Sequence, residues 1–299
     1  MSHVPVLVDK VISILSPRSG DRIIDATFGG GGHTEALLNS CDGCYVTGVD
    51  RDPDAAARAR HAKSRFQDRF DFVLGKFSEL PLLLKERGKF NGILFDFGVS
   101  SFQLDNPERG FAFSKDGTLD MRMSKEGISA FDVVNTFPEE DLSDIIWVYG
   151  DEPKARKIAA EIVHARRHSK ITTTSELRMI IGSVFKNQVI RKAHSNMDVS
   201  TKTFQALRIY VNDELSEIDI VIKHLPEILV NGARIVMISF HALEDRIVKH
   251  WSKLSRDQFT PINKDVIKPC IDEIKANPRS RSAILRGFVY NDFGGRGNE

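Results

Sequence analysis

The sequence predicts an α/β fold, a parallel sheet covered by helices on both faces and interrupted by an inserted helical domain. Three observations predict it. Over the first hundred residues, short apolar runs rich in Ile, Val and Phe alternate with helical patterns. Between Leu104 and Thr201 the strand signals vanish. A strand, a helix and a late strand then complete the chain. Strand–helix alternation implies βαβ units and parallel pairing.

Taken in order, strands are expected at Arg22–Phe28, Tyr45–Asp50, Phe70–Phe77 and Phe90–Gly98, short and rich in Ile, Val and Phe. Helices are expected between them at Thr34–Ser40, Pro53–Arg65 and Ser78–Arg87. The insert is expected to hold helices at Asp132–Val148, Lys154–Arg167 and Ser175–Lys186, and Ala155, Ile158, Ala159 and Ile162 form an apolar stripe. A long helix, Thr203–Leu229, leads through Gly232 to a fifth strand at Ala233–Phe240, a helix at Leu243–Lys253 and a strand at Ala283–Tyr290. The expected domains are therefore 1–103 with 204–299, and an insert at 104–203.

At 299 residues, 41% hydrophobic and 28% charged, the chain can bury a substantial core. No run approaches the roughly 18 apolar residues of a membrane span, and the polar start is not expected to be a signal peptide. Three cysteines make no disulfide framework, so a cytoplasmic location is expected. The net charge is +1, but residues 154–192 hold ten Lys or Arg against Glu161 and Glu176, a local +8 that leaves −7 for the rest. Such asymmetry suits a segment that binds a polyanion, and also an ordinary solvated helical surface.

Asp25-Ala-Thr-Phe-Gly-Gly-Gly-Gly-His33 ends the first expected strand and opens a helix. Such a loop lets the backbone approach a ligand closely. Asp50 ends the second strand, where a carboxylate can accept both hydroxyls of a ribose. Together these make a nucleoside-cofactor site. A dinucleotide fingerprint would need a third small residue where Thr34 or Glu35 stands. Asp25 offers a carboxylate for an ammonium group, and Asp96 ends the fourth strand at the edge where ligands bind. These details favour S-adenosylmethionine over a nicotinamide dinucleotide.

The motifs His3-Val-Pro-Val, Thr27–His33, Asp50-Arg-Asp-Pro53, Asp96–Ser101, Gln103-Leu-Asp105, Glu108–Phe111, Asp116–Met123, Thr203–Arg208, Ile238–Arg246 and Asn277–Arg281 follow in order. Through them the chain closely resembles, nearly end to end, the bacterial and mitochondrial family of 16S ribosomal RNA cytosine-N4 methyltransferases. The resemblance implies a Rossmann-like class I methyltransferase sheet and S-adenosylmethionine as cofactor. It implies methylation of the N4 amine of a P-site cytidine in the decoding centre of the small ribosomal subunit. It carries the cofactor contacts to Gly31, Gly32, His33, Asp50, Phe77, Asp96 and Gln103. Phe77 suits an apolar wall for adenine and equally a plain core position. Another RNA methyltransferase and a cofactor-binding ribosome assembly factor without turnover remain the alternatives; neither a membrane nor DNA is expected as a partner.

Related amine methyltransferases orient the nitrogen with a Pro-Pro-aromatic motif after the fourth strand, which Asp96-Phe-Gly-Val-Ser-Ser101 lacks. The catalytic group is therefore unassigned, with Ser100, Ser101, Ser239 and His241 as weak candidates and turn or capping roles equally open. Arg109 and the Asp120-Met-Arg122 turn either grip RNA phosphate or tie the insert by ion pairs. Arg156, Arg166, Arg167 and Lys170 are the expected phosphate contacts of the basic stretch. Cys41-Asp-Gly-Cys44 has zinc-knuckle spacing but no second pair, so no metal is expected. Pro269-Cys270 imitates the nucleophile dipeptide of cytosine-C5 methyltransferases, but in a polar linker after the fifth strand.

Overall fold

The computed structural model describes residues 5–185 and 198–292. His3, Val4, Lys186, Arg191 and Lys192, each named in the motifs or the basic stretch, lie outside them. The chain divides into two compact units: the first runs to Gly98 and resumes at Leu215, and the second is Val99–Glu214.

The first unit begins with α1 (Val8–Leu15), β1 (Arg22–Asp25), α2 (Gly32–Ser40), β2 (Tyr45–Asp50), α3 (Ala55–Phe66), β3 (Phe70–Leu74), α4 (Leu80–Leu83) and β4 (Phe90–Asp96). The second contains α5 (Ser101–Asp105), α6 (Ala130–Thr136), α7 (Glu139–Gly150), α8 (Ala155–Arg166), α9 (Thr174–Ser183) and α10 (Thr201–Asn212). There follow α11 (Glu214–Ile228), β5 (Leu229–Ser239), α12 (Ala242–Leu254), β6 (Phe259–Pro261), α13 (Ile271–Ala276) and β7 (Ile284–Tyr290).

The sheet order is β3-β2-β1-β4-β5-β7-β6. Strands β1 to β5 pair in parallel, while β7 runs antiparallel to both β5 and β6. Alternate side chains enter opposite layers, as the two-residue period of a strand requires. Ile24, Ile93, Phe95, Ile235 and Met237 join one core with Ile218, Leu225 and Trp251. Ile23, Leu94, Val236 and Ile238 join the other with Val11, Leu37 and Ala59. Both faces are thus covered, and the C-terminal ends of β1, β2 and β4 form one open edge.

Three expected helices prove to be interrupted. Asp132–Val148 is two helices, because Pro138 donates no amide hydrogen and holds Phe137 extended at φ −70°, ψ 146°. Thr203–Leu229 breaks at Asp213, whose left-handed φ of 52° a short polar side chain tolerates. Ser78–Arg87 is a series of short turns around α4, with Pro81 in its first turn. The short edge strand β6 and helix α1 carried no signal strong enough to be expected. Helix α10, assigned from residue 204 to the sheet domain, packs against α7 in the second unit. Its Phe204, Ala206 and Leu207 join the core built by Leu142, Ile146, Ile158, Ile162 and Leu177.

Candidate cofactor site and insert

The glycine loop joins β1 to α2. Gly31 starts the helix at φ 80°, and a Cβ there would meet the Phe28 ring at 2.8 Å. Only glycine fits both the backbone and the space. The Asp50 carboxylate at the end of β2 braces the loop from the neighbouring strand. Its Oδ2 accepts from Gly29 N at 2.6 Å and its Oδ1 from Asp52 N at 2.8 Å. Burial pushes its pKa up to about 6, against the pull of those two amide bonds. Arg58 Nε donates to the Gly29 carbonyl at 2.7 Å, fixing the loop from α3. No motif marks Arg58; only its place in the first turns of α3, eight residues after Asp50, points to it.

Asp25 lies deeper than expected. It is 1% exposed, and its Oδ2 accepts from Thr34 Oγ1 at 2.7 Å. Burial raises its pKa, with His33 the main opposing influence. Thr34, the residue that spoils a dinucleotide fingerprint, is therefore the tether of this acid. The acid that reaches the loop from the sheet edge is Asp96. Its backbone N donates to Thr27 Oγ1 at 2.7 Å, and its Oδ2 stands 3.6 Å from His33 Nε2. Both ring nitrogens of His33 and the Oδ1 of Asp96 are buried with no hydrogen-bond partner. Phe77 is half-buried and stands edge-on to Phe95, with ring centroids 5.8 Å apart, and 6.0 Å from Phe97. Beside it, Lys76 Nζ lies 3.4 Å from Glu217 Oε1, while the buried Oε2 of Glu217 has no hydrogen-bond partner. Sequence reasoning passed over Glu217 because it lies in a featureless helical run.

Ser239 closes β5 and is 2% exposed. His241 caps α12: its Nδ1 accepts from Glu244 N at 3.4 Å, and Glu244 Oε2 accepts from Phe240 N and His241 N at 2.7 and 3.2 Å. Asp25, His33, Asp50, Phe77 and Asp96 thus share the C-terminal edge of one unit with the glycine loop. Among the described residues, no helix is long and apolar enough to cross a membrane.

The sequence model of the MraW methylase family matches residues 1–290. The chain belongs to that family. Its sheet is a mixed, Rossmann-like sheet of seven strands with helices on both faces. The methylase is 43% identical to the ribosomal RNA small subunit methyltransferase H of Rickettsia bellii, over 95% of this chain and 97% of the relative. The protein of the same name from Rickettsia massiliae matches at the same identity and coverage. An rRNA methylase from Streptococcus thermophilus is a solved structure with 10% identity and a TM-score of 0.44, over 95% of this chain and 93% of that one.

The remaining expected site residues of the methylase belong to its second unit. Ser100 and Gln103 form the capping box of α5, with Ser100 N donating to Gln103 Oε1 at 2.9 Å and Gln103 N to Ser100 Oγ at 3.3 Å. Ser101 is buried in its first turn. Arg109 is 6% exposed and donates through Nη2 to the carbonyls of Arg122 and Met123, both at 2.9 Å. These bonds make it an internal brace of the insert. Arg122 forms a two-point ion pair with Asp120, at 3.0 and 2.7 Å.

Arg166 makes bonds of the same kind. Its guanidinium donates to Val134 O at 2.7 Å and Phe137 O at 2.6 Å, satisfying carbonyls at the end of α6. Elsewhere in the basic stretch, Lys154 lies 4.0 Å above the Phe185 ring and donates to Val184 O, and Arg178 pairs with Asp198. Arg156, Lys157, Arg167 and Lys170 are exposed. Cys44 is buried and its thiol is pushed up to about 11, chiefly by burial, while Cys270 is exposed and caps α13.

Proposed function

We propose that this methylase transfers a methyl group from S-adenosylmethionine to the N4 amine of a P-site cytidine in 16S ribosomal RNA, acting on the small ribosomal subunit in the cytoplasm. The observation that carries the reading is the 43% identity, over nearly the whole chain, to relatives named as small-subunit ribosomal RNA methyltransferases. Their name reaches the substrate class. The ordered motifs from Thr27–His33 to Ile238–Arg246 supply the finer target through the family they resemble.

The residues present fit the cofactor. Gly31 and Gly32 offer a backbone cradle that a Cβ would fill, since it would strike Phe28 or Pro5. Asp50 accepts the ribose hydroxyls with the lone pairs left after its two amide bonds. His33 and Asp96 carry the buried polar atoms that still need partners, and Asp96 is the acid for the ammonium group. Phe77 makes the apolar wall for adenine, and the family resemblance assigns Gln103 a cofactor contact. When bound, the cofactor supplies an electrophilic methyl group with sulfur as leaving group, so the protein chiefly has to position the amine. The residue that orients that amine stays unassigned: Ser100 and His241 are committed to helix caps, and Ser239 is buried. In the insert, Arg156, Arg167 and Lys170 serve RNA phosphate.

Mass spectrometry of small-subunit RNA tests the reading. RNA from cells lacking this protein should have no N4-methylcytidine at the P-site position, and purified enzyme with cofactor should restore it. A 5-methylcytidine product, or restoration elsewhere only, would overturn it.

A further inference from the structure

Helix α12 bears a basic track on the sheet-bearing unit, apart from the charged insert. Arg246, Lys249, His250 and Lys253 are all exposed. Their spacing of three, four and seven residues places them along one side of the helix. The opposite side buries Val248 and Trp251. The helix has two acids, and both are withdrawn from solvent partners. Glu244 is fully buried and bonded to the amides of Phe240 and His241. Asp245 is held by Arg286 at 2.8 and 3.1 Å. Among the described residues, none of the four track residues pairs with an acid. Arg256 and Asp257 follow the helix and offset each other.

The place of the track gives it a purpose. Asp96 pairs in register with Ile238, and α12 begins four residues later at Ala242. The track therefore starts about one turn beyond the sheet edge that holds the candidate cofactor site. With a rise of about 1.5 Å per residue, its charges recur at intervals of roughly 5 Å, comparable with successive phosphates of one strand. An apolar or basic partner would leave this row of cations unmatched, whereas a polynucleotide backbone running from the sheet edge complements it. From this charge pattern and position we infer that α12 grips the phosphate backbone of the RNA strand leading to the reacting base. The inference rests on the ribosomal RNA reading above, and adds a second contact surface on the catalytic unit itself.

The test uses full-length protein and small subunits from cells lacking the modification. A variant with Arg246→Glu, Lys249→Glu and Lys253→Glu is compared with the wild type and with the charge-keeping Arg246→Lys, Lys249→Arg, Lys253→Arg variant. Loss of three phosphate contacts should lower the slope of log affinity against log salt by about 2–3 units. KM for subunits should rise, with kcat at saturation and cofactor affinity unchanged, and the charge-keeping variant should behave as wild type. Ultraviolet cross-linking should join residues 246–253 to RNA. A wild-type salt slope in the reversed variant, or cross-links to protein instead, would overturn the inference while leaving the substrate reading intact. Failure of the wild type itself to bind or methylate the subunit would overturn the substrate reading, and this inference with it.

Discussion

His33 Nε2 and Asp96 Oδ2 lie 3.6 Å apart, beyond hydrogen-bond reach, and beside them both the ring and Asp96 Oδ1 are buried without partners. Buried polar atoms are seldom left in this state, because each costs about 1–3 kcal/mol. A ligand that supplies the missing partners recovers that cost on binding. Asp96→Ala should therefore weaken S-adenosylmethionine by about 10- to 100-fold, the loss of one charged hydrogen bond of roughly 1.5–3 kcal/mol. The ligand-free melting temperature should hold or rise. Calorimetry paired with thermal melts checks this; a fall in ligand-free stability at unchanged affinity would make Asp96 a structural residue.

Asp50 sets a pH dependence. Its folded pKa of about 6 exceeds the ordinary 3.8, so the native state holds this proton more tightly than the unfolded chain. The stability it contributes is present below about 4 and declines as pH rises towards 6. Cofactor binding runs the other way, because ribose hydroxyls donate to the ionised carboxylate. Affinity should climb between pH 5 and 6 and level off above 7. Asp50→Asn should flatten that profile and bind more weakly throughout. Titration calorimetry across the range decides it, and a flat wild-type profile would remove Asp50 from the ribose.

Arg109 and Arg166 should behave as structural residues. Each serves two backbone carbonyls inside the insert. Replacing either with Ala should cost about 2–3 kcal/mol of stability. Arg167→Glu with Lys170→Glu should leave the melting temperature nearly unchanged and reduce the salt dependence of subunit binding by about 1–2 units. Denaturant curves and salt titrations separate the two behaviours, and the opposite assignment of effects would contradict this division.

The thiols should differ in reactivity and not matter for turnover. Cys44, raised to about 11 and buried, should resist alkylation at pH 8 until the protein unfolds, while exposed Cys270 reacts promptly. Changing Cys41, Cys44 and Cys270 together to Ala should leave methylation of subunits active, because transfer to an amine needs no protein nucleophile. Loss of activity in a folded, cofactor-binding triple variant would point to a covalent mechanism.

Strand positions were legible because a parallel sheet buried on both faces demands continuous apolar runs, as Ile93–Leu94–Phe95 shows. Helix breaks were not: Pro138 stands in the sequence, but an apolar period runs across it, and Asp213 adopts φ 52° by a local choice that no pattern records. Asp50 and Asp96 could be read as strand-ending acids. The partners of Arg166 could not be read, because Val134 O and Phe137 O are brought to it only by folding. Arg58, Thr34 and Glu217 were hidden for the same reason, since each acts through a contact distant in sequence or buried in the core.

At one margin of the sheet stands β6, three residues long and closed by Pro261. It presents almost no ladder of free amides and carbonyls to an incoming polypeptide, and its last residue cannot donate at all. On the other margin, β3 carries the charged Asp71, paired with Arg87, as the second of its five residues. Both margins thus discourage edge-to-edge growth into larger aggregates, a safeguard for a protein whose sheet interior is rich enough in Ile, Val and Phe to seed one.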